Sequence, residues 1–314
     1  MIILFNTACI YDEINNLSLL YGHYDKIFTK LSINIPNAKL ILCNKRPDFY
    51  IELPNKINTI GTLIFNYDDD DDIIYNDLIL MFPFCNLNLN KDTSAIITTI
   101  CKDYGHRLDE WIQYNLQLGF SGIIIFNNDG NKSNLLNEPY DNIIYRNMKD
   151  ITDKYNNKVI LIDFPYSPFQ HAHWNTIQRN ALHIGVNAFK HYCKYIALID
   201  ADEFIFIPNN NNIEIFLATY NRTITMKSNI LTNKNDNDMI DNNILELAKY
   251  VGEDKYTKTI LNTDYIKNEY FILTPHTHSS EIILEKDIII HYHCWINKRY
   301  QYNENMVKID LKYI

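Results

Sequence analysis

Between residues 95 and 207, short β-branched runs alternate with stretches whose apolar residues recur every three or four positions, and this alternation leaves few architectures open. Ala95-Ile-Ile-Thr-Thr-Ile-Cys101 reads as a central parallel strand. A helix over about 107–118 follows, with Leu108, Trp111, Ile112, Leu116 and Leu118 on a helical stripe and Gly119 placed to end it. Gly122-Ile-Ile-Ile-Phe126 and Val159-Ile-Leu-Ile-Asp163 supply two more strands. A second helix over about 174–192 spaces Trp174, Ile177, Ala181, Ile184, Ala188 and Tyr192 by three and four, and feeds a further strand at Tyr195–Ile199. Strand and helix in this order predict right-handed crossovers and an α/β fold with a doubly wound sheet. Ligands of such sheets bind at the carboxyl ends of the strands.

That edge carries an acidic pair. In Lys194-Tyr-Ile-Ala-Leu-Ile-Asp-Ala-Asp-Glu-Phe-Ile-Phe-Ile207, Asp200 and Asp202 lie between two apolar runs. In extended chain their side chains share one face, and Glu203, a lesser candidate, faces the opposite side. Aspartates close together in an acidic chain usually mark a solvated turn, but a loop without a duty seldom sits between two buried strands. Hard cations take oxygen ligands, and magnesium keeps waters plus one or two carboxylates while substrate phosphates complete its shell. The pair therefore suggests a divalent-metal site for a nucleoside-diphosphate substrate.

Composition sets the remaining bounds. The 314 residues carry a formal net charge of −9, which argues against nucleic acid or an anionic membrane surface as partner. Small ligands or neutral glycans fit better. Heavy use of Asn, Ile, Tyr, Asp and Lys is the imprint of an AT-rich genome, as in a large DNA virus or a parasite. The six cysteines contain no Cys-x-x-Cys pair and read as reduced core residues. The amino terminus lacks a basic region, and Asn6 and Asp12 break its apolar stretch. A soluble cytoplasmic protein, in a host's cytoplasm if viral, is expected. Asn-x-Ser/Thr triplets at Asn16, Asn131 and Asn221 carry little weight in so asparagine-rich a chain.

Residues 1–92 read as short strands such as Ile2–Phe5 and Lys39–Cys43, a module of uncertain independence, with 93–314 as the main domain. Asp68–Asp72 is a solvated loop or a weak cation site. At the carboxyl edge, Asn127 and Asp129 either hydrogen-bond a base or ribose or cap a turn. Lys102 and Arg179 reach a phosphate or ribose, or are simply solvated. Gln170 and Asn180 are candidates for holding the donor, and Tyr166, Phe169, Trp174 and Trp295 for stacking on acceptor sugars, although Trp174 fits the core stripe better.

Three stretches resemble glycosyltransferase family 92 and its bacterial and viral relatives, enzymes of the GT-A fold. They are Leu108-Asp-Glu-Trp-Ile-Gln-Tyr-Asn-Leu-Gln-Leu-Gly119 with Ile124-Ile-Phe-Asn-Asn128, then Tyr195-Ile-Ala-Leu-Ile-Asp-Ala-Asp-Glu-Phe204, and finally Ile289-Ile-His-Tyr292. Together they span roughly residues 95–300, and no comparable motif covers the amino-terminal module. Asn115 stands where the family usually has histidine, and Asp103-Tyr104 replaces its commoner Asn-Glu pair. The resemblance implies that Asp200 and Asp202 hold Mn²⁺ or Mg²⁺ against a nucleotide sugar, a UDP-sugar first among them, with a late histidine as further ligand. His276, His278, His291 and His293 offer that histidine, His291 first and His278 second; for any one of them the alternative is a hydrogen-bonded structural role.

Transfer to a glycan or glycoconjugate acceptor would leave a nucleoside diphosphate whose charge the metal stabilises. An inverting reaction, as the resemblance suggests, needs a carboxylate to deprotonate the acceptor. Glu253 and Asp254 are candidates, or a polar turn after a helix ending near Tyr250. Rival readings are a metal-dependent hydrolase and a glycan-binding module without turnover.

Overall fold

The computed structural model of the chain describes residues 3–12, 16–24, 31–55, 59–67, 73–79, 87–102, 105–128, 148–164, 174–207, 212–232, 250–266, 272, 274, 276, 281–284, 289–293 and 305–308. Among the first 92 residues, those described form two antiparallel sheets. Strands β1 (Ile3–Asp12), β2 (Leu17–Tyr24), β4 (Lys39–Leu42) and β5 (Asp48–Pro54) form one, in the order β1-β2-β5-β4, while β3 (Leu31–Ile33), β6 (Thr59–Tyr67) and β7 (Ile73–Ile79) form the other. The strands foreseen near residues 2–5 and 39–43 belong to the first sheet.

The rest of the chain builds one large, curled mixed sheet. It comprises β8 (Ala95–Cys101), β9 (Gly122–Asn127), β10 (Val159–Asp163), β11 (Tyr195–Leu198), β12 (Glu203–Phe206), β13 (Thr223–Thr232), β14 (Tyr250–Asn262), β15 (Glu281–Leu284), β16 (Ile290–His293) and β17 (Val307–Lys308). Four helices accompany it among the described residues: α1 (Gly105–Gln117), α2 (Met148–Thr152), α3 (Trp174–Phe189) and α4 (Ile213–Tyr220). The strand order is β10-β9-β8-β11-β14-β13-β16-β12, with β15 beside β13 and β17 beside β14. The four strands β10, β9, β8 and β11 run parallel. Beyond β11 the sheet turns antiparallel at β14. The chain moves outward from β8 through β9 to β10 and then returns to place β11 on β8's other side, so the order reverses between β8 and β11. Open α/β sheets bind ligands at such a reversal.

Side-chain alternation explains why the parallel part is covered on both faces. Ile97, Ile123, Ile125 and Ala197 join α1's Leu108, Trp111 and Ile112 in one core cluster. Ile96, Ile124, Phe126, Ile196 and Leu198 join α3's Ile177, Ala181 and Ile184 in the other. Every residue of β8 is buried, as a strand sandwiched between helices must be. Gly119 ends α1 as foreseen, with φ +104°, a left-handed backbone that glycine adopts without a steric penalty. Helix α3 ends at Phe189, short of the expected Tyr192. Cys43, Cys101 and Cys193 are buried free thiols.

Helix α3 is buried far beyond one stripe because the first sheet lies against its other side. Tyr21 and Tyr50 from β2 and β5 share the cluster that contains α3, and the Tyr21 ring stacks on His183 with centroids 6.4 Å apart. On the large-sheet side, α3 approaches β8 so closely that a Cβ on Gly185 would stand 2.1 Å from Thr98 Oγ1. Gly185→Ala is expected to destabilise the protein although alanine is the better helix former, because overpacking costs roughly 1–3 kcal/mol against a propensity gain of about 1 kcal/mol. Thr98→Ala in the same chain should relieve most of the loss, since Thr98 Oγ1 is buried without a hydrogen-bond partner. Urea unfolding of the three variants checks this, and a Gly185→Ala chain more stable than wild type would refute the close approach. No described helix is long and apolar enough to cross a membrane.

Candidate metal centre

The acidic residues after β11 converge, but not by strand alternation. Residues 201 and 202 form a turn, closed by the Glu203 amide donating to the Asp200 carbonyl at 3.1 Å. The reversal swings Glu203 onto the same side as the aspartates. Ligand oxygens of Asp200, Asp202 and Glu203 all lie within 4.8 Å of one another. Glu203 therefore does not face away, as extended geometry had suggested, because alternation stops where the chain turns. Its Oε2 also accepts from the Asp200 amide at 2.8 Å, which locks the turn from inside.

Three elements hold this cluster. Helix α1 fixes the start of β12: Trp111 Nε1 donates to the Glu203 carbonyl at 2.8 Å, and Tyr114 Oη to the Ile205 carbonyl at 2.6 Å. Gln178 of α3 donates to Asp200 Oδ1 at 2.7 Å. Lys258 of β14 reaches in beside β11, its ammonium 2.6 Å from Asp200 Oδ2 and 3.3 Å from Glu203 Oε1. Pairing of Leu198 with Thr259 puts it there, one residue from the point where β11 gives way to the acidic turn.

His291 stands behind Glu203. Its Nε2 is 3.1 Å from Glu203 Oε2, and Ser228 Oγ lies 2.6 Å from its Nδ1. Strand β16 runs between β12 and β13, which delivers His291 from one side and Ser228 from the other. With Ser228 Oγ donating to Nδ1, the ring turns an Nε2–H toward the Glu203 carboxylate, so the serine on one side and the glutamate on the other fix its orientation. The histidine is fully buried and abuts the carboxylate cluster without belonging to its mutually close ligand atoms.

The electrostatics are those of an under-neutralised anionic pocket. Burial pushes the Asp200 carboxyl up, the Lys258 ammonium pulls it down, and Glu203 and Asp202 push it up again; the net direction is upward. Burial works to lower the Lys258 ammonium, but Asp200 and Glu203 outweigh it and hold it above the ordinary lysine value. Asp200, Asp202 and Glu203 bring carboxylate oxygens together as a divalent cation requires, with the Lys258 ammonium beside two of them. Asp202, Glu203 and Lys258 are buried, whereas a third of the Asp200 side chain, 33 %, is exposed, so access from solvent is through Asp200. All-oxygen ligands with one adjacent imidazole suit Mg²⁺ or Mn²⁺.

The other candidates fall out differently. Lys102 is exposed just past β8, and Asn127 is half-buried at the end of β9 with its Nδ2 3.4 Å from Asp163 Oδ1. Both stand at the carboxyl edge, as expected. Arg179 does not face that edge as a free cation: it is buried against the first sheet, Nε 3.2 Å from Asp48 Oδ2. The reason is the sheet over α3, which sequence did not reveal. Asn180 is buried within α3, and its Nδ2 has no hydrogen-bond partner among the described residues. Glu253 and Asp254 lie within β14, not in a turn. Glu253 is exposed and pairs opposite Asn229, where the register shifts. At about 3.3 Å per residue it is roughly 16 Å along the strand from Lys258, so neither carboxylate joins the cluster. His276 is turned to the β14 backbone, Nδ1 2.6 Å from the Thr257 carbonyl oxygen. Asp129, Gln170 and His278 lie outside the described residues, as do Asp68–Asp72, Tyr166, Phe169 and Trp295.

Lys258, Gln178 and Ser228 were not singled out from sequence. The available signal was Lys258 itself, a charge inside Thr257-Lys-Thr-Ile-Leu261, where β-branched and apolar neighbours mark a buried strand. Gln178 and Ser228 gave no signal of their own. Compared with models of known protein families the chain matches none, and no curated protein matches it either.

Proposed function

We propose that the protein is a metal-dependent glycosyltransferase with a GT-A fold, moving a sugar from a nucleoside-diphosphate sugar, in the first place a UDP-sugar, to a glycan or glycoconjugate acceptor with inversion. The observation that carries this reading is the convergence of Asp200, Asp202 and Glu203 at the carboxyl end of β11, where the strand order reverses. An acidic cluster alone is common. This one follows a buried parallel strand, gathers three carboxylates around a buried lysine, and is open to solvent through Asp200. A divalent cation held by Asp200, Asp202 and Glu203 would supply the positive charge that a departing nucleoside diphosphate needs. The chain's own residues do the rest: Gln178 and Lys258 orient Asp200, and His291 with Ser228 fixes Glu203. Asn127, at the neighbouring strand end, would hydrogen-bond the base or ribose, and Lys102 would reach a phosphate or the ribose.

Calorimetric titration of nucleoside diphosphates and nucleotide sugars, with and without Mn²⁺, tests the reading on wild type and Asp202→Ala. One diphosphate series is expected to bind only with the metal, and the variant to lose that binding. Absence of binding by every nucleotide in wild type with Mn²⁺ would sink the proposal.

A further inference from the structure

Arg107 of α1 has a placement that nothing among the described residues explains. It is only 5 % exposed, yet its Nε and Nη2 are buried without a hydrogen-bond partner, and among the described residues no carboxylate is paired with it. Buried guanidinium groups are almost always paired, because an unpaired buried charge is costly. A cation kept in that condition in the ligand-free protein is one whose partner arrives from outside.

Helix geometry indicates where that partner would sit. Positions 107, 111 and 114 share one stripe of α1. Trp111 and Tyr114 of that stripe bond the carbonyls of Glu203 and Ile205, so three residues along the helix match two along β12. One turn further toward the helix start, Arg107 comes level with the turn at residues 200–202. It also sits on the first turns of α1, directly after β8, while the acidic turn follows β11. Arg107 and Asp200 thus flank the crevice where the strand order reverses. The helix start adds a positive dipole end to the same place. Asp200, the carboxylate nearest solvent, already has Lys258 and Gln178, and no carboxylate pairs with the guanidinium among the described residues.

We infer that Arg107 is a phosphate-binding residue, holding the diphosphate of the ligand across the crevice from the Asp200-Asp202-Glu203 centre. The inference rests on the nucleotide-sugar reading for the identity of the ligand and on the geometry of α1 for the anion site. A guanidinium offers two parallel donors to one phosphate group, which a lysine at this position would not match.

Pyrophosphate is the probe, titrated by calorimetry with saturating Mn²⁺ into wild type, Arg107→Met and Arg107→Lys, with Mn²⁺ binding and the ligand-free thermal midpoint measured for each. Removing hydrogen bonds from a charged donor is expected to weaken pyrophosphate binding roughly 10- to 100-fold in Arg107→Met, with Arg107→Lys intermediate and Mn²⁺ affinity unchanged in both. The ligand-free midpoint of Arg107→Met should stay level or rise, because an unpaired buried charge has been removed. A structural arginine would give the opposite, and a lowered midpoint or unchanged pyrophosphate affinity would overturn the inference. The two readings fail separately. Arg107-dependent pyrophosphate binding with no nucleotide sugar bound leaves the anion site and removes the transferase, whereas Mn²⁺-dependent nucleotide-sugar binding that is equal in wild type and Arg107→Met does the reverse.

Discussion

Replacing Lys258 with methionine is expected to cost about 3–5 kcal/mol of stability in the presence of a chelator, the usual consequence of stripping one partner from a buried ionic cluster. The ammonium is 3 % exposed and is the cation that lies 2.6 Å from Asp200 and 3.3 Å from Glu203. Without it, burial and mutual repulsion act on three carboxylates at once. Mn²⁺ is expected to restore more to the variant than it adds to wild type, because it no longer competes with a fixed positive charge. At a free concentration one hundred times its Kd, a ligand specific to the folded state contributes about 2.7 kcal/mol. The pH dependence has a definite sign. Lys258 is held above the ordinary lysine value of 10.5, so its contribution is complete below about pH 10 and disappears only as pH rises through the folded value. Wild type should therefore show no titration of this group between pH 6 and 8. In the variant Asp200, already pushed upward by burial, takes up a proton more readily, so the destabilisation should shrink as pH falls. Denaturant unfolding of both chains, in chelator and in Mn²⁺, measures all three effects. Equal stabilisation of both by the metal would show that Lys258 and the cation do not share a site.

The parts of the fold that were legible in sequence are those where one local period decides the outcome. β8 and β10 were read to the residue, and α1 was misjudged by one or two positions at its ends, because each repeats its pattern over a full element. Asp200 and Asp202 do come together, but not by the strand alternation expected of them. A two-residue turn, invisible to a period-2 rule, brings them together and adds Glu203. Lys258 is separated from Asp200 by 58 positions, and only the antiparallel pairing of β14 on β11 brings it in; no local pattern specifies that register. That Glu253 and Asp254 lie in a strand and not in a polar turn escaped notice for the same reason, since the Glu-, Asp-, Lys- and Tyr-rich first half of β14, half-buried or exposed, lacks the alternation that would mark it. Similarly, α3 displayed the stripe that packs on the large sheet but nothing to show that a second sheet would cover its other side.

That second contact leads to the other large effect, expected for Arg179→Met. Arg179 Nε lies 3.2 Å and Nη2 3.5 Å from the Asp48 carboxylate, while His23 Nδ1 is 3.0 Å from its Oδ1. Arg179, Asp48 and His23 are 8 %, 1 % and 4 % exposed, so water does little to screen the pair. Removing the guanidinium leaves a carboxylate in the seam between the first sheet and α3 with His23 as its remaining hydrogen-bond partner, and a loss of roughly 3–5 kcal/mol at pH 7 follows. Burial raises Asp48, but the His23 hydrogen bond and the charges of Arg179 and His183 outweigh it, and the net direction is downward from 3.8. A depressed carboxylate stabilises the folded state above its unfolded value and loses that contribution as pH falls through the folded one. The gap between wild type and Arg179→Met should therefore be full at pH 7 and narrow as Asp48 is protonated in acid. Asp48→Asn added to Arg179→Met should recover much of the loss, because no charge then remains buried, and the double-mutant cycle would report a coupling well above experimental error. If Arg179→Met instead costs less than about 1 kcal/mol, the size of an exposed pair, water reaches this seam, and the first sheet is not sealed against the helix that presents Gln178 to Asp200.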